Sequence, residues 1–124
     1  MAVRRALLPL LASCGTVLAE TYPAEAMRQL GLRMGGSKRR RADRLALAPA
    51  LRRSMAALSA TPDPALDRLM AQGFGPDAAG EDCMDCVLGL LCVLQVLAGG
   101  RPDAAPDDPW IRRWEGWVLG QAAA

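Results

Sequence analysis

The stretch TVLAETYP, residues 16–23, decides the fold class assigned to this chain. Thr16, Val17, Thr21 and Tyr22 favour extended backbone, and Pro23 closes the run. Read as a strand over about residues 16–22, it carries Glu20 near its end and makes the chain α/β. The composition limits how much sheet can accompany it. Apolar residues make up 52% of the 124 residues, enough for a packed core, but aromatics are only 4%. The apolar content is mostly Ala, Leu, Val and Met, which favours helices over an all-β fold. The expectation is one predominantly helical domain over residues 1–124 with one clear strand.

Upstream, residues 3–12 read as an amphipathic helix with Val3, Leu7, Leu8 and Leu11 on one face, stopped by Gly15. The opening MAVRRALLPLLASC also has the form of a short lipoprotein signal ahead of Cys14, although its apolar run, residues 6–12, is at the short limit for one. Downstream, residues 24–30 form a short helix, followed by the loop GLRMGGSKRRR. Residues 42–58 return to helix, with Leu45, Leu51, Met55 and Leu58 on one face and Pro49 placed to break or kink it. SATPDPALDRLMAQG has a cap, a Pro-led helix start and a stop at Gly73. Residues 81–97 give the clearest helix, acidic in its first turn and apolar on every side beyond Asp85, which suits the middle of a domain. The final WIRRWEGWVLG is either a helical turn or a short closing strand at about residues 115–119.

The chain has 14 Arg, one Lys and no His. The absence of histidine excludes His-based triads and His-containing zinc sites, so a metal would need carboxylates or thiolates. Charge is segregated. Residues 28–53 hold nine basic residues and one acid, while residues 74–115 hold eight acids and three basic residues. Such blocks suit an anionic polymer with a metal held by the acids, or two solvated faces that attract each other. The longest apolar stretch, residues 86–98, includes Gln95 and is well short of the roughly 20 residues of a spanning helix, so no membrane is expected. Four cysteines without other secretory features fit a reducing cytoplasm.

Four constellations bear chemistry. Cys83 and Cys86 form a Cys-x-x-Cys pair that, with Cys92 and Cys14, could hold zinc or an iron–sulfur cluster; the plainer reading makes Cys86 and Cys92 small buried hydrophobes. Asp82 and Asp85 lie one helical turn apart and could share a divalent cation with a third acid, or merely compensate the helix dipole. Glu20, near the end of the expected strand, is a candidate third acid. Lys38, Arg39 and Arg40, behind Gly35 and Gly36, are placed to meet phosphates.

Taken in order, ETYPAEAMRQLGL, GGSKRRR, EDCMDCVLGLLCVLQVLAGG and WEGWVLG resemble the C-terminal portion of the family called domain of unknown function 429. Its members are described as predicted nucleases with an RNase H-like fold. The resemblance implies an incomplete RNase H-like α/β domain whose first three strands are absent. It implies a metal-dependent phosphodiester hydrolase site in which Glu20, Asp82 and Asp85 hold Mg²⁺ or Mn²⁺, serve as the catalytic acids, and face the basic loop. The first-strand acid has no counterpart, so little or no activity is expected of this chain alone. A second copy or a separate N-terminal half would cover the open sheet edge. The competing expectation is a small helical Arg-rich module that binds nucleic acid or protein without catalysis. A Cys-ligated zinc or iron–sulfur protein is the third.

Overall fold

A computed structural model describes residues 19–103, 106–115 and 117–122, and among these residues the chain is all helical. The helices are α1 (Pro23–Gln29), α2 (Arg41–Ala57), α3 (Pro64–Ala71) and α4 (Gly80–Leu97), followed by a π-helical turn at Ile111–Glu115. α4 lies between α1 and α2, and α3 packs on the far side of α2.

The α/β, RNase H-like expectation is therefore wrong. Residues 19–22 are irregular, residues 16–18 fall outside the described ones, and no strand forms at 117–119. The two expected strands do touch, but among the described residues through a single backbone hydrogen bond, from the Leu119 N–H to the Glu20 carbonyl at 2.8 Å. Among the described β-formers of this stretch, Tyr22 is 60% exposed and Thr21 packs against α4 at Gly89 rather than beside another strand. Pro23 then sets the first turn of α1, where its missing N–H costs nothing. Among the described residues there is no sheet and so no sheet edge.

Core burial explains each helix. α2 turns Arg44, Leu47, Ala48, Leu51 and Met55 inward, a stripe at helical spacing. This differs from the expected face, for Leu45 is 36% exposed. α2 also runs unbroken through Pro49. Pro49 is exposed, so water can take the Leu45 carbonyl that its ring leaves without a donor. α4 buries Met84, Val87, Leu88, Leu91 and Cys92. Its opposite side is open, with Leu90 51% and Leu97 77% exposed, so α4 is not enclosed as its composition suggested. Among the described residues only two helices, α1 and α2, pack on it, and α1 is only seven residues long.

All four helices end in the same way. The residue two beyond the C-cap donates its N–H five residues back: Leu32 to Met27, Ala60 to Met55, Phe74 to Leu69 and Gly100 to Gln95, each at 2.8–2.9 Å. The turn needs a left-handed residue just past the C-cap. Glycine supplies it at Gly31, Gly73 and Gly99, whereas Ser59 adopts φ +56 with a Cβ. α3 is capped at its start as well, where Asp63 accepts from the Leu66 N–H at 2.7 Å.

The α3 ending is joined to α2 by two arginines. Arg41 Nε donates to the Gln72 carbonyl at 2.8 Å. Arg44, 0% exposed, donates to the carbonyls of Gly73 (2.7 Å), Lys38 (2.6 Å), Gly75 (3.0 Å) and Asp77 (2.7 Å). No carboxylate is bonded to this buried guanidinium among the described residues. Its counter-charge is a ring of carbonyl oxygens, two of them next to the negative end of the α3 dipole. Gly80 leaves the room: a Cβ there would lie 2.5 Å from the Arg44 Nη2.

Two outcomes are expected in urea unfolding. Gly80→Ala should destabilise by about 1–3 kcal/mol through overpacking against a pinned guanidinium. That sign is opposite to the ~1 kcal/mol gain of helix propensity alone. Ser59→Gly should stabilise by about 0.5–1 kcal/mol, the relief of left-handed strain less the added chain entropy.

Candidate functional site

The basic loop, residues 31–40, is held at three points. The Arg44 bond to the Lys38 carbonyl holds it from behind. The Lys38 ammonium forms an ion pair with Asp85 on α4, both side chains about a quarter exposed or less (21% and 26%). The Asp43 carboxylate accepts from the Ser37 N–H at 2.9 Å and from Arg40 Nε at 2.6 Å. Gly36 permits this close approach, because a Cβ there would fall 2.2 Å from an Asp43 oxygen. The Ser37 N–H, then Arg40, hold the Asp43 carboxyl below the usual carboxylate range, with burial opposing.

Two of the residues singled out in the sequence thus meet, Lys38 and Asp85, but as each other's partner. Asp82 is exposed on the first turn of α4, and Glu20 is exposed on the irregular segment before α1. The segment holding Glu20 crosses α4 at Gly89, one turn beyond Asp85, where Thr21 Oγ1 lies 2.9 Å from the position of an added Cβ. Among the described residues no three Asp, Glu or Cys side chains form a group able to hold a metal. As placed, Glu20, Asp82 and Asp85 are not gathered into one such group.

The rest of the basic block is largely structural. Arg28 pairs with Glu25 at 2.5 Å and Arg52 with Asp67 at 2.7 Å, while Arg41 and Arg44 bind carbonyls. Arg40 bonds Asp43 yet keeps its side chain 68% exposed. Arg33, Arg39 and Arg53 are exposed and have no side-chain partner among the described residues. Their freedom could not be read from the charge run. The structural role of Arg44 left one trace in the sequence: it falls on the stripe of Leu47, Ala48, Leu51 and Met55.

The cysteines divide. Cys83 and Cys86 are exposed and Cys92 is buried, while Cys14 lies outside the described residues. This corrects the expectation that Cys86 is buried and separates Cys92 from the Cys-x-x-Cys pair. Cys92 Sγ donates to Gln29 Oε1 at 3.4 Å and to the Leu119 carbonyl at 3.3 Å, in a polar cluster joining α1, α4 and the C-terminal segment. Burial pushes its thiol pKa up; the nearby Glu25 adds to this and Arg101 opposes it. The Glu25 carboxyl is itself held below its ordinary range, first by the Arg28 hydrogen bond.

No family model matches the chain, and no curated protein or solved structure matches it either. No helix among the described residues is long and apolar enough to cross a membrane.

Depressed carboxyls bind fewer protons in the folded chain than in the unfolded one. The stability contributed by Glu25 and Asp43 is therefore present above the ordinary carboxylate range and is lost as pH falls through their lowered values. A Glu25→Gln/Asp43→Asn variant should show a shallower acid limb in stability measured against pH. Cys92 has the opposite sign: its contribution is complete below the ordinary thiol range and fades as pH rises through the raised value. Brief iodoacetamide treatment of the native chain should label Cys83 and Cys86, and Cys92 only after unfolding, as read by peptide mass mapping.

Proposed function

We propose that this chain is a small helical binding module that recognises a polyanion, of which nucleic acid is the chemical type, through the loop of residues 31–40. One observation carries the reading. The loop is anchored by Arg44, Asp43 and the Lys38–Asp85 pair, and the cations not used as anchors, Arg33 and Arg39, remain exposed, with Arg40 beside them. A loop ordered before binding loses little entropy when phosphates arrive. Guanidinium groups suit phosphate oxygens because they donate in pairs. Such contacts position a strand without reading its sequence. Lys38, engaged with Asp85, supports the loop rather than meeting the ligand.

The test is fluorescence anisotropy with labelled oligonucleotides across a salt series. Binding should weaken steeply with salt and proceed in the presence of a metal chelator. Arg33→Ala/Arg39→Ala should reduce the slope of log affinity against log salt by about 2, one unit for each phosphate that is no longer neutralised. An unchanged slope, or no binding at low salt, would overturn the reading.

A second reading, metal-dependent phosphodiester hydrolysis at Glu20, Asp82 and Asp85, has one feature in its favour. Thr21 packs at Gly89, which brings the Glu20 segment to the face of α4 that carries Asp82 and Asp85. This reading requires Mg²⁺ or Mn²⁺ binding in calorimetry that Asp85→Asn removes. The binding module requires neither ion.

A further inference from the structure

Cys83 and Cys86 lie in the early turns of α4, both exposed, while Cys92 points into the protein and is committed to Gln29 and Leu119. A spacing of three along a helix places both side chains on one face, with Cβ atoms about 5–6 Å apart. Two metal–sulfur bonds of about 2.3 Å each require sulfurs at most about 4.6 Å apart, which thiols on such Cβ atoms can reach by rotating toward each other. Asp85, between them in sequence, is paired with Lys38 and is not a free third ligand. Among the described residues no third Asp, Glu or Cys completes a metal-holding group with them. A tetrahedral zinc site needs four donors. A soft univalent ion such as Cu(I) is satisfied by two thiolates.

We propose that Cys83 and Cys86 form a two-thiolate chelate for a soft, low-coordinate cation of the Cu(I) type. Binding exchanges two thiol protons for one Cu(I) and involves no change of oxidation state. The complex carries one net negative charge, which the N-terminal dipole of α4 favours and the adjacent Glu81 and Asp82 oppose. Because the pair lies on α4 and the arginine loop is a separate element, this site stands or falls independently of polyanion binding.

The experiment is an anaerobic titration of the reduced full-length chain with Cu(I), in competition with a chromophoric Cu(I) chelator. One equivalent per chain should be withdrawn from the chelator. Cys83→Ser and Cys86→Ser should each weaken binding by about 100-fold or more, the loss of the second, intramolecular ligand. Cys14→Ser and Cys92→Ala should leave the stoichiometry at one. Far-UV circular dichroism of each variant checks that the helices remain. Failure of the chain to compete for copper would overturn the proposal. So would equal binding by the Cys83→Ser/Cys86→Ser variant, or half an equivalent per chain with dimerisation, which would place the ion between two copies.

Discussion

The buried Arg44 guanidinium is the interaction on which the rest of this small structure depends. Four of its five N–H donors are bonded to carbonyls, and those carbonyls come from three places in the chain: the basic loop, the end of α3 and the turn leading into α4. A buried cation without a carboxylate partner is tolerable only when its donors are satisfied and oriented dipoles replace water. The α3 ending provides this. Its terminal turn closes on itself through Gly73 and Phe74, which leaves the Gln72 and Gly73 carbonyls directed at Arg41 and Arg44. A lysine could not substitute, having three donors on a point charge instead of a planar fork.

The same residue connects stability to the surface proposed to bind. Through the Lys38 carbonyl, Arg44 fixes the loop whose outer arginines are free. Lys38 is held twice, by its backbone to α2 and by its side chain to α4. A concentration of positive charge that looks like one functional patch thus has two parts. Its inner members are structural, and its outer members are available. Charge density in a sequence does not separate these, because the difference lies in which guanidinium finds a carbonyl or carboxylate at the right distance.

The C-terminal segment shows a similar division. Leu119 donates to Glu20 and accepts from Gln29 and Cys92, so a few polar bonds seat it between α1 and α4. Burial, and then the neighbouring Glu25, push the Cys92 thiol pKa up there, with Arg101 opposing. Gly120 fits beside Gln29 because a Cβ would come within 2.6 Å of its Oε1. Meanwhile Trp110 and Trp114 stay outside, 6.0 Å apart, with the Arg113 guanidinium 4.9 Å from the Trp114 ring. The indoles satisfy each other and a cation rather than the core.

The sequence by itself determined the four described helices, each to within a residue or two of its ends, though not the passage of α2 through Pro49; the helix expected at residues 3–12 lies outside the described residues. The Pro-led starts, Asp63, Gly31, Gly73 and Gly99 act within a turn or two of chain, so local chemistry was enough. It did not determine the class of fold. TVLAETYP has residues suited to a strand, but a strand exists only where another offers a ladder, and the described structure gives this stretch one bond to Leu119. Nor did it determine the site. Glu20, Asp82 and Asp85 are acids at suggestive spacings, yet Asp85 is spent on Lys38, and Glu20 and Asp82 remain in solvent. Pairings between residues 38 and 85, or 44 and 77, depend on how α2 and α4 pack, which is decided by buried apolar area. Only the tertiary structure could show which charges hold the protein together and which are left to bind something else.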